Sequence, residues 1–487
     1  MMTDERSMKK RFNDPQWAAS MRLRLDYNHA MADFVGEHGL TASQLQALAP
    51  GLADLDRQLA ADRAGGKLGF MELPYQTEIL KEIKQIGKPV LEWCWDLVVL
   101  GMGGSALGAR ALQQALLPPQ YNKFPMARRQ HRPGLWVLDN IDPDYVFGVL
   151  DALDLRRVTF NVISKSGATA ETLAQFLWVY QLLKSRLGEE KARERLIITT
   201  DPAQGPLRAL AEREGLVALA VPANVGGRFS VLSAVGLLPA SLVGIDVEEL
   251  LAGARFMDER LKNTAPERNP AYLLAGLYYL FATAKARNLL VFMPYATPLQ
   301  GLAHWFCQLW AESLGKKLNR QGQVVHAGST PVAALGASDQ HSQLQLYLEG
   351  PQDKLITLVQ VEKFQHNLEI PDLYPDLAEL GYLGGHSLNE LLQSEFAATA
   401  FSLVKAGRPS VTLGLPAINA FTVGQLLYFL EVMTVAAGAL FGVNPLDQPG
   451  VEGGKHTTYG LMGRPGFEAQ RREIEEGAPP LEKYRIS

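Results

Sequence analysis

Short apolar runs alternate with amphipathic, helix-like stretches along most of the chain. Leucine and β-branched residues dominate these runs, which occupy residues 97–100, 135–138, 158–163, 196–198, 217–221, 289–293, 355–361 and 410–413. Such runs are typical of parallel strands that are buried on both faces by the intervening helices. The pattern therefore predicts an α/β fold with two doubly wound parallel sheets, separated near residues 245–269.

Two further segments read as helices. Within the first ninety residues, leucines at 45, 48, 52, 55 and 59 recur at spacings of three and four, as on one face of a helix. Residues 422–443 form a long apolar run that contains Gln425 and Glu431. Both side chains are costly at the centre of a bilayer, so we predict a buried core helix there instead of a membrane span.

Composition narrows the class of protein. The 487 residues include 47 Lys+Arg and 51 Asp+Glu, a net charge of −4, which excludes a protein that coats nucleic acid or anionic membranes by bulk charge. Any anion must be bound locally. Cys94 and Cys307 are too few for a disulfide framework, and the N-terminal residues lack the apolar stretch of a secretory leader. We therefore expect a cytoplasmic protein.

The first predicted strand runs into a glycine-rich loop, GMGGSA, at residues 101–106. Glycines permit close backbone approach, and the amides that begin the next helix favour an oxyanion. The loop also fits the dinucleotide pattern G-x-G-x-x-[G/A], but the nearest acidic candidate, Asp139, lies 33 residues beyond Ala106 instead of about 20. The Walker pattern fails, because Ala109 and Arg110 replace its Lys and Ser or Thr. A tight turn and an anion-binding loop remain the two interpretations.

A second loop, SKSGATAET, follows the third predicted strand at residues 164–172 and precedes a helical stripe. Hydroxyl groups, a lysine, a glycine and the amides of a helix start can form a cradle for a single phosphate. Simple capping of the helix would need only one hydroxyl. We therefore predict a phosphate site at this loop.

A lone arginine and a row of polar residues are candidates for the chemistry. Arg228 follows two glycines, so it is either solvated or directed into a cleft where it stabilises negative charge. Gln308, Glu312 and Lys316 recur every fourth residue, and we predict that they share one helix face. This row is either an ordinary solvent-facing one or the setting of a general base, Glu312, among apolar neighbours.

Two more residues lie in polar or irregular surroundings. His341 belongs to the polar stretch 338–342, where it is either structural or catalytic, and Lys455 ends a stretch rich in proline and glycine. That stretch is either a linker to a helical tail or a loop that places Lys455 as a proton donor. The nine histidines form no metal-binding motif, so we predict no metal site.

Taken in order, several motifs resemble the bacterial type of the glucose-6-phosphate isomerase family: GMGGSALG, SKSGATAET, VGGRFSVLSAVGL, QLWAESLGK, DQHSQ and NPLDQPGVEGGK. The resemblance extends from about residue 98 to residue 467, and VGGRFSVLSAVG and DQPGVEGGK are its most specific parts. It implies two sugar-isomerase (SIS) domains, a phosphate-binding first domain at 91–250 and a second domain with the catalytic helix at 251–445. A helical N-terminal segment at 1–90 would precede them, and a C-terminal helical arm at 446–487, which carries Lys455, would follow.

The resemblance also implies roles for individual residues. Glu312 would carry a proton between C2 and C1 of the sugar, and Arg228 is the cation available to the resulting enediolate. His341, supplied by the neighbouring subunit, and Lys455 would assist ring opening and closing. The substrate-binding residues would be Gly104, Ser105, Ser164, Lys165, Ser166, Gly167, Ala168, Thr169, Gly227, Gln308 and Gln448. Gly167 and Ala168 replace an aromatic residue and a threonine of the eukaryotic pattern, so they can contribute only backbone groups.

The implied activity is the interconversion of glucose 6-phosphate and fructose 6-phosphate, without cofactor or metal, by a cytoplasmic homodimer whose active sites are shared. No nucleic acid or membrane partner is expected. Two other classes remain open: a non-catalytic sensor of sugar phosphates, which would not need Glu312, Arg228, His341 and Lys455 together, and a nicotinamide-dependent dehydrogenase, suggested only by GMGGSA. Mannose 6-phosphate as an additional substrate also stays open.

Overall fold

A computed structural model describes residues 10–477 and 481–486. Its strands are β1 (Arg24–Asp26), β2 (Asp96–Leu100), β3 (Gly134–Leu138), β4 (Val158–Ser164), β5 (Leu196–Thr200), β6 (Val217–Ala220), β7 (Leu289–Pro294), β8 (Lys316–Leu318), β9 (Val324–Ala327), β10 (Thr330–Ala333), β11 (Lys354–Lys363) and β12 (Ser410–Ala417). All eight apolar runs singled out in the sequence form strands.

The strands form two larger sheets. The first has the order β3-β2-β4-β5-β6 and is entirely parallel, whereas the second has the order β1-β12-β11-β7-β10 and is parallel except for β1. Strands β8 and β9 form a separate antiparallel pair. The α/β class with two parallel sheets is confirmed.

Helices cover both sheets. In the first half of the chain they are α1 (Pro15–Ser20), α2 (Ala32–Val35), α3 (Ala42–Gln46), α4 (Ala49–Ala64), α5 (Glu78–Leu91), α6 (Leu107–Leu116), α7 (Pro143–Asp151), α8 (Ala170–Leu187), α9 (Glu189–Glu194), α10 (Pro206–Glu214) and α11 (Ala234–Leu242). In the second half they are α12 (Val247–Lys262), α13 (Pro270–Lys285), α14 (Gln300–Leu314), α15 (Leu344–Glu349), α16 (Ala378–Gly381), α17 (Leu388–Lys405), α18 (Ala420–Leu440), α19 (Glu452–Leu461) and α20 (Glu468–Glu476).

The N-terminal segment is mostly helical, as the sequence predicts, but it also contains one short strand. Strand β1 pairs antiparallel with β12, with Arg24 opposite Gly414 and Asp26 opposite Thr412. Only one apolar residue, Leu25, stands in this short strand, so no run of apolar residues announces it. The segment therefore adds an edge strand to the second sheet, while the domain boundaries themselves stay a prediction.

Helix α18 is the long apolar segment. By length and a mean hydropathy of 1.6 it could cross a membrane, but 89% of that stretch is buried within the protein. Gln425 is accommodated there because its side chain donates to the Met21 carbonyl at 2.8 Å and accepts from the Leu23 amide at 3.3 Å. The prediction of a buried core helix is confirmed.

Candidate active site

Two loops that were predicted to bind anions lie at the same edge of the first sheet. Strands β2 and β4 are neighbours, and Leu100, the last residue of β2, pairs with Val162 of β4. A 3₁₀ turn at Gly103–Ser105 follows β2 and leads into α6, while β4 ends at Ser164 and its loop leads into α8. The carboxyl edge of a parallel sheet is where ligands of such folds gather.

The loop after β4 is held by its own hydroxyl groups. The Ser164 and Thr169 hydroxyl oxygens lie 2.9 Å apart, and the Ala168 amide donates to the Ser166 hydroxyl at 3.2 Å. Thr169 precedes α8 but makes no side-chain cap bond, so simple helix capping does not explain this hydroxyl. Gly167 has a φ of +64°, a conformation that a residue with a side chain rarely adopts. The loop thus presents hydroxyls and helix-start amides, as a phosphate site requires.

Lys165 is half-buried in the same loop. Burial lowers the pKa of its ammonium group below the ordinary value, and the nearby Asp201 carboxylate partly opposes that shift. The Lys165 carbonyl accepts a hydrogen bond from the Asp201 amide at 3.2 Å, which connects the loop to the end of β5. A dianionic ligand at this loop would stabilise the charged lysine.

The glycine-rich loop after β2 packs directly against the loop of Arg228. A Cβ atom on Gly104 would lie 2.3 Å from the Gly227 carbonyl oxygen, and one on Gly103 would lie 2.7 Å from Gln308 Nε2. Only glycine fits at position 104, because real Cβ atoms do not approach a backbone oxygen so closely. At position 103 the φ of +51° favours glycine. Gly104, Gly227 and Gln308 therefore meet, and Ser105, which is half-buried, adjoins them in the chain.

Glu312 lies in the last turn of α14 and is oriented by two neighbours. Gln308 donates through Nε2 to Glu312 Oε1 at 3.1 Å, and Arg228 donates through Nη1 to Glu312 Oε2 at 3.3 Å. About a third of the Glu312 side chain, 34%, is exposed, against 3% for Arg228. The carboxylate is therefore fixed in direction while remaining open to a ligand.

Arg228 is buried, and every nitrogen of its guanidinium group has a partner. Besides Glu312, Nε donates to Ser313 Oγ at 2.7 Å, Nη1 to Gln448 Oε1 at 3.0 Å, and Nη2 to the carbonyls of Pro445 and Asp447 at 2.6 and 3.0 Å. Burial lowers the pKa of Arg228, and the Glu312 and Asp447 carboxylates oppose this shift. Of the two sequence-based interpretations, the structure excludes the solvated arginine, because only 3% of the side chain is exposed. Its role toward negative charge stays a prediction.

Lys316 does not continue the helical row, and that expectation was wrong. Helix α14 ends at Leu314, Gly315 follows, and Lys316 begins β8. Its side chain turns back, so that Nζ donates to the carbonyls of Glu312, Ser313 and Asp447 at 2.6, 3.0 and 2.9 Å. Only 4% of the side chain is exposed, which excludes an ordinary solvent-facing row.

His341 and Lys455 make no contact with this cluster among the described residues. His341 is exposed and ends the 3₁₀ turn Ser338–His341 of the second half of the chain. Lys455 lies on α19, is 49% exposed and donates to Glu452 Oε1 at 2.8 Å. The structure thus unites Gly104, Gly227, Arg228, Gln308, Glu312 and Gln448 in one cluster, but leaves these two side chains outside it.

Several contributors escaped the sequence-based reasoning. Ser313, the backbone of Asp447 and the clamping role of Lys316 appear only when α14 meets the loop at 445–448, a contact that no local pattern reveals. Gly315 is the exception, since glycine is common just after a helix end and could have marked Lys316 as lying beyond it. Asp139, the acidic candidate for a dinucleotide site, is paired with Arg110 at 2.8 Å.

No group of three or more His, Cys, Asp or Glu side chains suited to a metal ion occurs in residues 10–477 and 481–486.

Comparison with known proteins identifies clear relatives. The model of the phosphoglucose isomerase family matches residues 86–470. A glucose-6-phosphate isomerase of Carboxydothermus hydrogenoformans is 46% identical over 93% of this chain and 97% of its own length. One of Rubrobacter xylanophilus is also 46% identical, over 89% of this chain and 97% of its own length.

Solved structures share the fold. A hypothetical protein of Thermus thermophilus aligns with a TM-score of 0.80 and 40% identity, covering 91% of this chain and all of that one. A glucose-6-phosphate isomerase of Chlamydia trachomatis aligns with a TM-score of 0.68 over 82% of this chain and 77% of that one. Its 23% identity supports the fold alone.

Proposed function

The chain belongs to the phosphoglucose isomerase family and is an enzyme that interconverts glucose 6-phosphate and fructose 6-phosphate; from that premise we propose that Glu312 carries the proton between C2 and C1. The contact between Glu312 Oε2 and Arg228 Nη1, at 3.3 Å, is the observation that supports this assignment most directly. It places an accessible carboxylate beside a buried positive charge.

The chemistry follows from these two groups. A hydrogen on the carbon next to a carbonyl is weakly acidic, and its removal by Glu312 yields a cis-enediolate with negative charge on oxygen. Arg228 is held by four neighbours besides Glu312, so its charge is in place before the reaction and needs no rearrangement. The hydroxyl proton of the enediolate passes from one oxygen to the other, and the protonated Glu312 returns its proton to the adjacent carbon on the same face. The carbonyl has then moved to the neighbouring carbon with no net gain or loss of protons.

Binding of the phosphate group, away from the reacting carbons, would hold the sugar next to Glu312. In the proposal, Lys165, the hydroxyls of Ser164, Ser166 and Thr169, and the amides of Gly167 and Ala168 bind the phosphate. Gly104, Ser105, Gly227, Gln308 and Gln448 line the sugar end. These contacts hold the reacting carbons near the base in one orientation. Such orientation supplies much of the reduction in the activation barrier in reactions of this kind.

We further propose a homodimer whose active sites are shared. His341 is exposed and makes no contact with the Glu312 cluster, so a role in ring opening requires a second copy to bring it there. The exposed stretch after β11 supports this, because six of its large apolar residues are at least 45% exposed in a single chain: Leu368, Leu373, Tyr374, Leu377, Leu380 and Tyr382. Such a patch is typical of a protein interface.

Lys455 is proposed as the second group for ring opening. It stands on α19, whose Tyr459 reaches the phosphate loop, so the helix lies beside the proposed site.

A cytoplasmic location is also proposed, since Cys94 and Cys307 are both unpaired thiols, and burial raises the pKa of each to about 11. Both thiols therefore stay protonated and unreactive at neutral pH.

The test is conversion of fructose 6-phosphate in deuterated water by the wild type and by Glu312→Gln. Wild-type enzyme should place solvent deuterium at C2 of the glucose 6-phosphate formed, with and without added NAD or EDTA. The variant should lose about 100-fold or more in kcat while still binding inorganic phosphate.

Glu190→Gln is the matched control, because Glu190 is exposed on α9 and makes no side-chain hydrogen bond among the described residues. Near-normal turnover by Glu312→Gln would remove Glu312 from the role of base. The proton on Glu312 can exchange with solvent only if its return to the sugar is slower than that exchange. Under such conditions, a product without deuterium at C2 would instead favour direct hydride transfer.

A further inference from the structure

Helix α19 is tied to the rest of the chain by very few polar contacts. For residues 452–477 and 481–486 of the C-terminal arm, one side-chain hydrogen bond reaches a residue outside the arm: the Tyr459 hydroxyl donates to the Ala168 carbonyl at 3.3 Å. The remaining side-chain bonds and ion pairs of this stretch stay within it, such as those of Lys455 and Arg471. Tyr459 is therefore the polar link between the arm and the loop at 164–169.

The ring of Tyr459 is held in position by its own arm. Phe467 packs against it edge-on with ring centroids 5.2 Å apart, and the Arg464 guanidinium lies 4.5 Å from the ring centroid. Contacts of this kind favour one orientation of an aromatic side chain. The hydroxyl is thus directed at the loop by the arm itself.

Ala168 connects the two sides of this contact. Its amide donates to the Ser166 hydroxyl, inside the proposed phosphate cradle, while its carbonyl accepts from Tyr459. On α19, Lys455 and Tyr459 are four residues apart and so lie on the same helix face. The bond at Tyr459 therefore determines which side of the helix, the side of Lys455, is turned toward the cradle.

We propose that Tyr459 is a positioning residue whose hydroxyl couples phosphate binding at residues 164–169 to the placement of Lys455. This inference rests on the proposed function of the cradle and of Lys455. Coupling between two sites is reciprocal, so phosphate in the cradle stabilises the docked arm, and the docked arm raises phosphate affinity by the same factor. One neutral hydrogen bond supports a factor of about 2 to 10.

The experiment compares the wild type with Tyr459→Phe, which removes one oxygen atom and keeps the aromatic packing. Tyr484→Phe is the matched control, because Tyr484 is 76% exposed and its hydroxyl makes no hydrogen bond among the described residues. The readout is the rate of tryptic cleavage after Lys455, measured with and without inorganic phosphate at a saturating concentration.

In the wild type and in Tyr484→Phe, phosphate should slow this cleavage by about 2- to 10-fold. In Tyr459→Phe the protection should vanish, and the inhibition constant of phosphate should rise by the factor that was lost. Equal protection of Tyr459→Phe and the wild type would overturn the proposal, as would absence of protection in a wild type that binds phosphate.

A second pair of measurements separates this inference from the proposed function. If Lys165→Ala abolishes phosphate binding while the wild type binds it, the cradle is real, and failure of the protection experiment then counts against Tyr459 alone. If the wild type does not bind phosphate at all, both the cradle and the coupling are wrong. An unchanged urea midpoint for Tyr459→Phe shows that the arm contact was lost without loss of the fold.

Discussion

Lys316 connects the end of α14 to the loop that carries Gln448, and its removal should separate the two. Its ammonium group donates to the Glu312, Ser313 and Asp447 carbonyls at 2.6, 3.0 and 2.9 Å. The first two carbonyls belong to the last turn of α14, where no further helical amide follows to pair with them. We therefore consider Lys316→Met, which keeps most of the apolar stem and removes the three donors.

The expected loss of stability follows from these contacts. Each buried carbonyl left without a donor costs about 1–3 kcal/mol, and the variant is relieved of the cost of burying a charge. The Asp447 carbonyl keeps the donor from Arg228, so two carbonyls lose theirs. With partial relief from the buried charge, the free energy of unfolding should fall by about 2–4 kcal/mol. Arg228 still donates to the Pro445 and Asp447 carbonyls, so the loop stays attached but shifts.

That shift should appear in turnover more than in binding. A displacement of about 1 Å at a reacting group can cost on the order of 100-fold in rate, so kcat should fall by roughly 10- to 100-fold. The phosphate cradle at residues 164–169 has no contact with Lys316, so KM should change little. Steady-state kinetics and urea unfolding measure the two effects separately.

Lys317→Met is the control, since Lys317 is the adjacent residue, is exposed and makes no side-chain hydrogen bond among the described residues. It should change the free energy of unfolding by less than about 0.5 kcal/mol and leave kcat unaltered. If Lys316→Met had the kcat of Lys317→Met, Lys316 would not position the site. A loss of stability without a loss of kcat would make it purely structural.

The pH dependence provides a second check on Lys316. Burial, assisted by the neighbouring Arg228 charge, lowers the pKa of Lys316 below its ordinary value of 10.5. Between the lowered value and 10.5 the unfolded chain holds more protons than the folded one, so this group's contribution to stability rises with pH in that window. The wild type should therefore gain stability relative to Lys316→Met as the pH rises toward 10.5, and a constant difference would contradict the assigned burial of the charge.

Two further predictions concern the phosphate site and the sharing of the active site between subunits. Lys165→Ala should raise KM about 10-fold or more and leave kcat within a few-fold of the wild type, and an unchanged KM in this variant would remove Lys165 from the phosphate site. In the wild type, KM should rise as the pH approaches 10.5 from below, because burial lowers the pKa of Lys165 and the lysine then loses its charge. If His341 acts across a dimer, mixing Glu312→Gln with His341→Ala after co-refolding should restore about a quarter of wild-type activity, since half of the random dimers then contain one intact site. Absence of recovered activity would show that both residues of one active site come from the same subunit.

The strands and loops could be predicted because their signals are local. Buried parallel strands produce continuous apolar runs, and the loops at their carboxyl ends then mark where a ligand gathers, which located residues 101–106 and 164–169 correctly at one edge. Strand β1 could not be found in this way. Its three residues become a strand only because β12 offers a free edge for pairing, and that edge comes from residues almost four hundred positions later.

The partners of the candidate site were unpredictable for the same reason. The recurrence of Gln308, Glu312 and Lys316 correctly indicated the contact between the first two, since helical spacing brings Nε2 and Oε1 together. It failed at Lys316 because the helix ends at Leu314, and because the carbonyl of Asp447 competes for the lysine from outside the helix. Which carbonyl lies near the Lys316 ammonium group is determined by the folded chain and not by the local sequence.

In the proposed mechanism, the contacts that hold Arg228 in the fold are also the ones that suit it to stabilise the enediolate. Its guanidinium makes five hydrogen bonds to protein groups, and those bonds are what fix its charge next to Glu312. A loosely held cation would have to reorient as the enediolate forms, and that reorientation would add to the barrier. With a net charge of −4, the protein cannot stabilise an anion by its overall field. The stabilisation must come from a few fixed groups, and Arg228 is fixed by the same loop that Lys316 clamps.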